Sequence, residues 1–406
     1  MNKIKNILCL SILILSLVSC GDKSNSEKSE SNVIRFWHFW SEPNQRAIIK
    51  ELISEFESAN DCKVEMTELS WGDGKTKLFA AFNAKNAPDV LELGSDWVAQ
   101  FSSSSVLHEL NPDSVNINKF IDFSLSPCYY ENKLYALPWI VDTRVLFFNK
   151  DLVQAGSEEF DTYEKLAEIA SKINNKNTYG WGANGSDRHR LYKKIVSFFW
   201  TYGGDILDDS GNPVINSAAN IAALEMYSSL SRYGIIETQR QLDASFTEGK
   251  TAFWLSGGWL IEKIKNENPN LNYGVSLVPG TGDSEGISFG GGEYLAINAN
   301  SGNKELAEEL IKFLTDGKNS IRFCKAVIEA GFPADKQYYQ DDFYNSQEER
   351  LVFAKQLEKA RMTPIHPKWL DIETIIEDAA VETMYGKASA AESLNAAQLK
   401  VLEIIK

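Results

Sequence analysis

Apolar strands and amphipathic helices alternate at the start of the globular part of the chain. Residues Val33–Trp37 predict a strand, a helix then runs to about Ala59, and Cys62–Leu69 predict a second strand. A further helix, Lys75–Lys85, leads to the apolar strand Val90–Leu93. Strands joined through helices pair in parallel and bury their faces against those helices. This order therefore predicts an α/β fold.

Aromatic and acidic residues gather in the loops that follow these strands. The first loop carries Trp40 and Glu42, the next carries Trp71, and the third carries Asp96. In open α/β sheets, ligands bind at the carboxyl ends of the strands. A flat ring suits the C–H face of a sugar, and a carboxylate beside it suits the hydroxyls. The pattern favours a sugar site at this edge, although each tryptophan taken alone fits a core position equally well.

Residues 137–151, LPWIVDTRVLFFNKD, combine a polar and aromatic loop with a strand that should be buried. Trp139, Asp142 and Arg144 lie at the start of the apolar strand Val145–Phe148. Residues before this stretch form one α/β unit, and residues after it form another. The stretch therefore predicts a first crossing between two lobes, with its polar and aromatic side chains facing the gap.

The strand–helix–strand order, followed by APDVLELGSDW and LYALPWIVDTRVLFFNKDL, resembles the extracellular solute-binding proteins that include maltose-binding protein. A later segment, FTEGKTAFWLSGGW, is similar to another unit of that family. The resemblance covers nearly all of the chain after its N-terminal leader. It implies a type II periplasmic-binding-protein fold, in which two lobes, each a mixed sheet flanked by helices, are joined by about three hinge crossovers.

The resemblance also implies lobe boundaries and a function. The first lobe would comprise residues 33–141 and 287–333, and the second lobe residues 142–286 and 334–406. Members of the family are receptors of bacterial ABC sugar importers. The implied function is therefore binding of a sugar, a disaccharide or an oligosaccharide, in the interlobe cleft with hinge closure. The implied partners are importer permease subunits, and the protein would be a monomer without cofactor or catalytic activity.

Two sets of residues are candidates for the ligand site. The family pattern implies stacking tryptophans, hydroxyl-accepting acids, close-approach glycines and one donating arginine: Glu42, Trp71, Asp96, Trp139, Asp142, Trp259, Gly291, Gly292 and Arg361. Chemistry and position add Trp40, Arg144, Trp200, Tyr202, Glu293 and Trp369. Only the acid of Gly94–Trp97 matches the maltose receptor well, so maltose specificity is not implied.

Two other function classes remain open. A receptor for a non-sugar solute, such as a polyamine, a peptide or a glycerol phosphate ester, would share the fold. A secreted glycosidase would need two carboxyl groups about 5.5 Å or roughly 6.5–9.5 Å apart, and the candidate acids are Asp96, Asp142, Asp205 and Glu293. The sequence contains no lysine-bearing P-loop motif, which disfavours phosphate cradling.

The first 32 residues predict export and anchoring. Basic residues followed by the apolar run Ile7–Val18 indicate a secretory signal over Met1–Ser19, since the run is shorter than the roughly 20 residues that span a bilayer. Leu17–Cys20 match a bacterial lipobox, which predicts lipidation of Cys20. Residues 20–32 lack apolar side chains beyond that cysteine and predict a disordered tether. The protein would then be held by its lipid at the periplasmic or extracytoplasmic face of a bacterial membrane.

Charge and cysteine content narrow the partners. The formal net charge of −15 argues against binding nucleic acid or anionic lipid. The cysteines after Cys20, at positions 62, 128 and 324, permit at most one disulfide. There is no CxxC motif and the four histidines are scattered, so the sequence gives a metal site little support.

Overall fold

A computed structural model describes residues 32–405 except positions 155, 157, 158, 186, 188 and 340. The predicted signal peptide, the lipidation site Cys20 and all but the last residue of the predicted tether lie outside the described residues. Within the described part, no helix is both long enough and apolar enough to cross a bilayer.

The chain alternates strands and helices as the sequence predicted. The strands are β1 Val33–His38, β2 Lys63–Glu68, β3 Val90–Gly94, β4 Tyr129–Tyr130, β5 Lys133–Leu134, β6 Ala136–Thr143, β7 Val145–Asn149, β8 Tyr179–Asn184, β9 Gly234–Glu237, β10 Thr251–Ser256, β11 Tyr273–Ser276, β12 Ser288–Ile297, β13 Phe332–Pro333 and β14 Ala360–Arg361. The helices are α1 Pro43–Asn60, α2 Gly74–Asn83, α3 Val98–Ser103, α4 Asp122–Leu125, α5 Tyr163–Ile173, α6 Leu191–Thr201, α7 Ala218–Ser231, α8 Gln239–Thr247, α9 Trp259–Glu267, α10 Lys304–Leu314, α11 Gly317–Ala326, α12 Asp342–Asn345, α13 Glu348–Leu357, α14 Trp369–Met384 and α15 Ala390–Ile404.

Two mixed sheets organise the described residues into two lobes. The first sheet has the order β2–β1–β3–β12–β6–β13, with β14 beside β12. Strand β1 pairs in parallel with β2 and β3, whereas β12 runs antiparallel to β3 and β6. The second sheet has the order β11–β7–β10–β8–β9, with β7 antiparallel and β8 and β9 parallel to their neighbours. We call the parts built around these sheets the first and second lobes.

One residue separates the two sheets at the first crossing. Strand β6 extends the first sheet to Thr143, and β7 begins the second sheet at Val145, which leaves Arg144 between them. The returning strand β12 lies against this junction, where the Ser288 hydroxyl donates to the backbone oxygen of Arg144 at 2.8 Å. After β13 the chain reaches α14 and α15, which pack on α7 of the second lobe.

Each sheet contributes to a buried core, and the first core continues across the junction. It includes Phe147 of β7, Phe246 of α8 and Trp254 of β10, all of which belong to the second lobe. Strands β3, β7 and β10 are buried on both faces and mostly apolar, as expected for strands covered on both sides, with Glu92 as the buried acid of β3.

Candidate ligand-binding site

Asp96 links the two lobes directly. It follows the buried strand β3 of the first lobe, and its carboxylate is almost completely enclosed. The hydroxyl of Tyr192, in the first turn of α6 in the second lobe, donates to Asp96 Oδ2 at 3.0 Å. The carboxyl end of a first-lobe strand therefore faces the N-terminal turn of a second-lobe helix.

His189 and Glu373 extend this contact. The imidazole Nε2 of His189 lies 3.5 Å from Asp96 Oδ2, and Nδ1 lies 2.8 Å from Oε1 of Glu373 on α14. The other oxygen of Glu373 is buried and has no hydrogen-bond partner among the described residues. Burial raises the pKa of Glu373, and the nearby His189 offsets part of that effect.

Asp96 remains a charged acceptor in spite of its burial. Burial opposes its ionisation, but His189, Lys193 and the Tyr192 hydroxyl lower the pKa of Asp96 overall. One potential metal-ligating atom from each of Asp96, His189 and Glu373 lies within 4.8 Å of the other two, a spacing that can hold a cation. Because His189 lies within reach of both acids, with a hydrogen bond to Glu373, and Tyr192 donates to Asp96, these residues form a polar bridge between the lobes.

A second group of polar residues lies at the junction itself. Asp142 on β6 pairs with Gly291 on β12, and a Cβ at position 291 would lie 2.7 Å from Asp142 Oδ1. Only glycine leaves room there for the carboxylate. Arg144 Nη1 donates to Asp142 Oδ2 at 2.5 Å. Glu293, two residues along β12, makes no side-chain hydrogen bond to the described residues, and burial and the neighbouring Asp142 raise its pKa.

Trp259 and Trp71 provide aromatic surfaces on opposite lobes. The indole Nε1 of Trp259 donates to Asp243 Oδ2 at 3.0 Å, and the guanidinium of Arg144 lies 4.7 Å from the ring centre. Trp71 is 38% exposed and stacks on Phe39 with ring centres 4.1 Å apart. One face of Trp71 is thus supported by the core while much of the ring remains accessible.

The space between these groups is small in this structure. A cavity with about 340 Å³ of empty space lies beside Asp142, Gly258 and Phe332. Another, with about 240 Å³, lies between Asp96 and Trp369. The part of these cavities that a water-sized molecule can occupy is only about 20 Å³ and about 10 Å³, against roughly 300–1,000 Å³ for common ligand pockets, so the lobes must part to admit a sugar.

A match to a family model establishes the family of this chain. The model of bacterial extracellular solute-binding proteins matches residues 51–352.

This chain belongs to that family.

The solute-binding protein is similar to the galactooligosaccharide-binding protein of Bacillus subtilis, with 29% identity over 96% of this chain and 94% of the relative. It is also similar to a maltooligosaccharide ABC transporter solute-binding lipoprotein of Streptococcus pneumoniae, with 23% identity over 74% of this chain and 73% of the relative. An ABC transporter solute-binding protein from Thermotoga lettingae, bound with α-D-tagatose, shares the fold with a TM-score of 0.82 and 20% identity, over 92% of this chain and 100% of that chain. The predicted family and the predicted two-lobed α/β fold are confirmed.

The solute-binding protein brings together just over half of the predicted site residues. Those at or beside the cleft are Trp71, Asp96, Asp142, Arg144, Trp259, Gly291, Glu293 and Trp369. Trp369 is buried and packs edge-on against Tyr192, with ring centres 6.0 Å apart. Gly292 supports the site through its backbone, since its carbonyl accepts from the N–H of Ser95 at 3.2 Å.

The structure corrects the placement of two predicted stacking residues. Trp139 is fully buried and packs against Phe323 of α11 at 4.7 Å, and Trp40 packs against the same ring at 5.0 Å. The pairing of β6 with β12 skips Trp139, which is the extra residue at a bulge, so Asp142 can face the cleft while Trp139 faces the core. Neither indole offers a face to a ligand in this conformation.

Four further predicted residues lie away from the cleft groups. Trp200 and Arg361 both bond to Asp205, at 3.1 and 2.5 Å, and the Tyr202 hydroxyl donates to Glu164 at 3.0 Å. Trp200 is eight residues along α6 from Tyr192, which is roughly 12 Å along the helix axis. Glu42 is exposed and caps α1.

Sequence reasoning missed His189, Tyr192, Lys193 and Glu373. The first three follow strand β8. The rule that ligands bind at the carboxyl ends of strands, used above for the first lobe, would have identified them in the second lobe. Glu373 lies beside Ile372 on the buried face of α14, and a charged residue at a buried helical position is itself a signal of function.

Proposed function

We propose that this protein is the substrate-binding lipoprotein of an ABC importer and binds a sugar, a disaccharide or an oligosaccharide, in the cleft between its lobes. The observation that carries the proposal is the contact of Asp96 with Tyr192 and His189, because it brings a charged acceptor of the first lobe and hydrogen-bonding groups of the second lobe to one point. The sugars in the names of the relatives support the same ligand class.

The roles follow from the chemistry of each group. Asp96, Asp142 and Glu293 accept hydrogen bonds from sugar hydroxyls, and Tyr192, Lys193 and Arg144 donate to ring or hydroxyl oxygens. Trp71 and Trp259 stack on the C–H faces of the rings. Charge-assisted hydrogen bonds contribute roughly 1.5–3 kcal/mol each, so a few of them suffice for tight binding.

Binding is coupled to hinge closure in this proposal. The sugar first binds one lobe, and rotation about the residue between β6 and β7 then brings the other lobe onto it. The moving bodies are the predicted residues 33–141 with 287–333 and residues 142–286 with 334–406, except that residues 142 and 143 move with the first lobe because they belong to β6. The sugar hydroxyls take the place of Tyr192 and His189 as partners of Asp96, so closure over a ligand exchanges hydrogen bonds instead of leaving buried groups unpaired.

The remaining features concern location and partners. Lipidation of Cys20 would hold a monomeric receptor at the extracytoplasmic face of the membrane, where closed protein delivers sugar to the permease. Replacement of Cys20 by Ala should move the protein from the membrane fraction to the soluble exported fraction. Retention of the variant in the membrane fraction would contradict the anchor.

A thermal-shift screen tests the ligand class. Galactooligosaccharides, maltooligosaccharides and their monosaccharides form one arm, and a polyamine, a short peptide and glycerol 3-phosphate form the other. A ligand at 100 times its dissociation constant raises the free energy of unfolding by about 2.7 kcal/mol. A response confined to sugars supports the proposal, and a response confined to the second arm overturns it. Analysis of the same sugars for cleavage products tests the absence of catalysis.

A further inference from the structure

A buried carboxylate in the second lobe lies directly behind the proposed ligand site. Asp243 of α8 is 5% exposed and accepts four side-chain hydrogen bonds. Three of them reach Oδ1, from Trp254 Nε1 at 2.8 Å, Ser256 Oγ at 3.0 Å and Gln239 Nε2 at 3.0 Å. The fourth reaches Oδ2, from Trp259 Nε1 at 3.0 Å. One oxygen therefore serves the interior of the lobe, and the other serves the aromatic ring at the cleft.

The charge of Asp243 is accommodated by a buried lysine. The ammonium of Lys194 donates to Gln239 Oε1 at 2.5 Å and lies 5.2 Å from the ring centre of Trp254. Gln239 in turn donates to Asp243, so the amide connects the two charges. A buried carboxylate with such partners is a rigid acceptor, because neither charge can move without losing a hydrogen bond in a dry environment.

The ring of Trp259 depends on this acceptor for its orientation. The indole lies over Gly257, where a Cβ would come within 2.1 Å of a ring carbon, so no neighbouring side chain at position 257 supports it. The bond to Asp243 fixes the indole nitrogen and thereby limits rotation of the ring. The guanidinium of Arg144 rests on this ring at 4.7 Å and donates to Asp142.

We propose that Asp243 is a positioning residue of the ligand site: it holds the ring of Trp259 and, through that ring, the guanidinium of Arg144, without touching the ligand. The predicted effect of this positioning on sugar affinity rests on the proposed sugar-binding function. The orientation of the ring itself is independent of any ligand, so the two proposals can fail separately.

Asp243→Asn breaks one of the four bonds selectively. The amide oxygen stays on the side of the three donors, because the opposite orientation would place an NH₂ group against all of them. The NH₂ group then faces the N–H of Trp259, and two donors cannot bond. Ser256→Ala is the matched control, since it removes a partner of Asp243 without touching Trp259. We expect sugar affinity to fall about tenfold in Asp243→Asn and to change less than twofold in Ser256→Ala.

A double-mutant cycle separates positioning from general packing. In a Trp259→Phe background there is no indole N–H for Asp243 to hold, so Asp243→Asn should then weaken sugar binding less than twofold. An equal loss of affinity in both backgrounds would overturn the proposal. An equal loss in Ser256→Ala and Asp243→Asn would overturn it as well.

The indole resonances provide a readout without sugar. The Nε1–H signal of Trp259, assigned by its absence in Trp259→Phe, should shift in Asp243→Asn while that of Trp254 stays in place. An unchanged Trp259 signal in the folded variant refutes the positioning role, whatever the sugar screen shows. If the variant does not fold, hydrogen exchange in the native protein decides: exchange of the Trp259 N–H as fast as that of the exposed Trp71 overturns the proposal, and slow exchange supports it.

Discussion

Glu92 and Asp96 are buried acids four residues apart at the end of β3, and their surroundings act on them in opposite directions. Glu92 lies in the core, where burial raises its pKa to about 8 even though the backbone N–H of Phe39 donates to it at 2.9 Å. Asp96 lies at the cleft, where partners from the other lobe lower its pKa in spite of burial. Burial without charged partners favours the neutral form of an acid. An acid that stays charged at the cleft, where it can bind a ligand, requires partners from the other lobe.

The largest expected effect concerns the acid in the core. Between pH 4.5 and about 8 the folded protein keeps Glu92 protonated while the unfolded chain has lost that proton, so stability falls as the pH rises through this window. Glu92→Gln stays neutral throughout. We expect the loss of unfolding free energy between pH 5 and pH 8 to be smaller in the variant, by on the order of 3 kcal/mol. Denaturant unfolding of both proteins at the two pH values measures this difference. Parallel pH profiles would show that Glu92 is ionised in the folded protein.

The acid at the cleft should dominate ligand affinity instead. Asp96→Asn removes a charged acceptor from the site, which corresponds to about 2 kcal/mol, close to a 30-fold rise in the sugar dissociation constant. Isothermal titration measures it, with Glu92→Gln as a control from the same strand that should change affinity less than twofold. Equal losses in the two variants would mean that the strand, and not the cleft carboxylate, determines binding.

Asp142 should contribute less than Asp96, because Arg144 already satisfies one of its oxygens. Asp142→Ala is expected to raise the sugar dissociation constant roughly tenfold, or about 1.4 kcal/mol, with the folded structure retained. Titration of the same sugar against both variants ranks the two acids. Unchanged affinity in a well-folded Asp142→Ala protein would remove Asp142 from the site.

The smallest expected effect on binding concerns two tryptophans, Trp71 at the cleft and Trp139 in the core. Trp71→Ala should weaken sugar binding by about 1 kcal/mol, near fivefold, because the exposed part of the ring is available to a ligand. Trp139→Phe should instead lower the free energy of unfolding by about 1–2 kcal/mol, because it leaves a cavity beside Phe323. Titration and denaturant unfolding of each variant test the pair, and a sugar-binding defect in Trp139→Phe would return that ring to the site.

The sequence predicted the positions of strands and helices well, but it predicted poorly on which face of a sheet a side chain lies. Strands β1 to β3 and the helices between them lie close to their predicted positions because the apolar periodicity of each segment is a local property. Trp71 follows strand β2 and is partly exposed, whereas Trp139 lies within β6 and is buried. Which side of the sheet Trp139 faces depends on the register of β6, which shifts at a bulge opposite Glu293 and Tyr294.

The contacts across the gap depended on residues far apart in the sequence. Asp96 meets His189 and Tyr192 almost 100 positions later, and His189 meets Glu373 a further 184 positions on. No spacing rule connects such residues, and only the folded arrangement of both lobes brings them together. Gly291 is an intermediate case: the glycine run suggested close approach, and the structure supplies the approaching group, the carboxylate of Asp142.

The core that continues from the first lobe to Phe147, Phe246 and Trp254 limits how this chain can be divided. Either lobe expressed alone would expose apolar surface that the intact protein buries, so the junction is a poor place to split the gene or to insert a reporter domain. The exposed turn at residues 208–212, which lies outside both cores, is a better insertion point. A reporter domain inserted there would leave the continuous core intact. It would report closure over a ligand from a position away from the contact between the lobes.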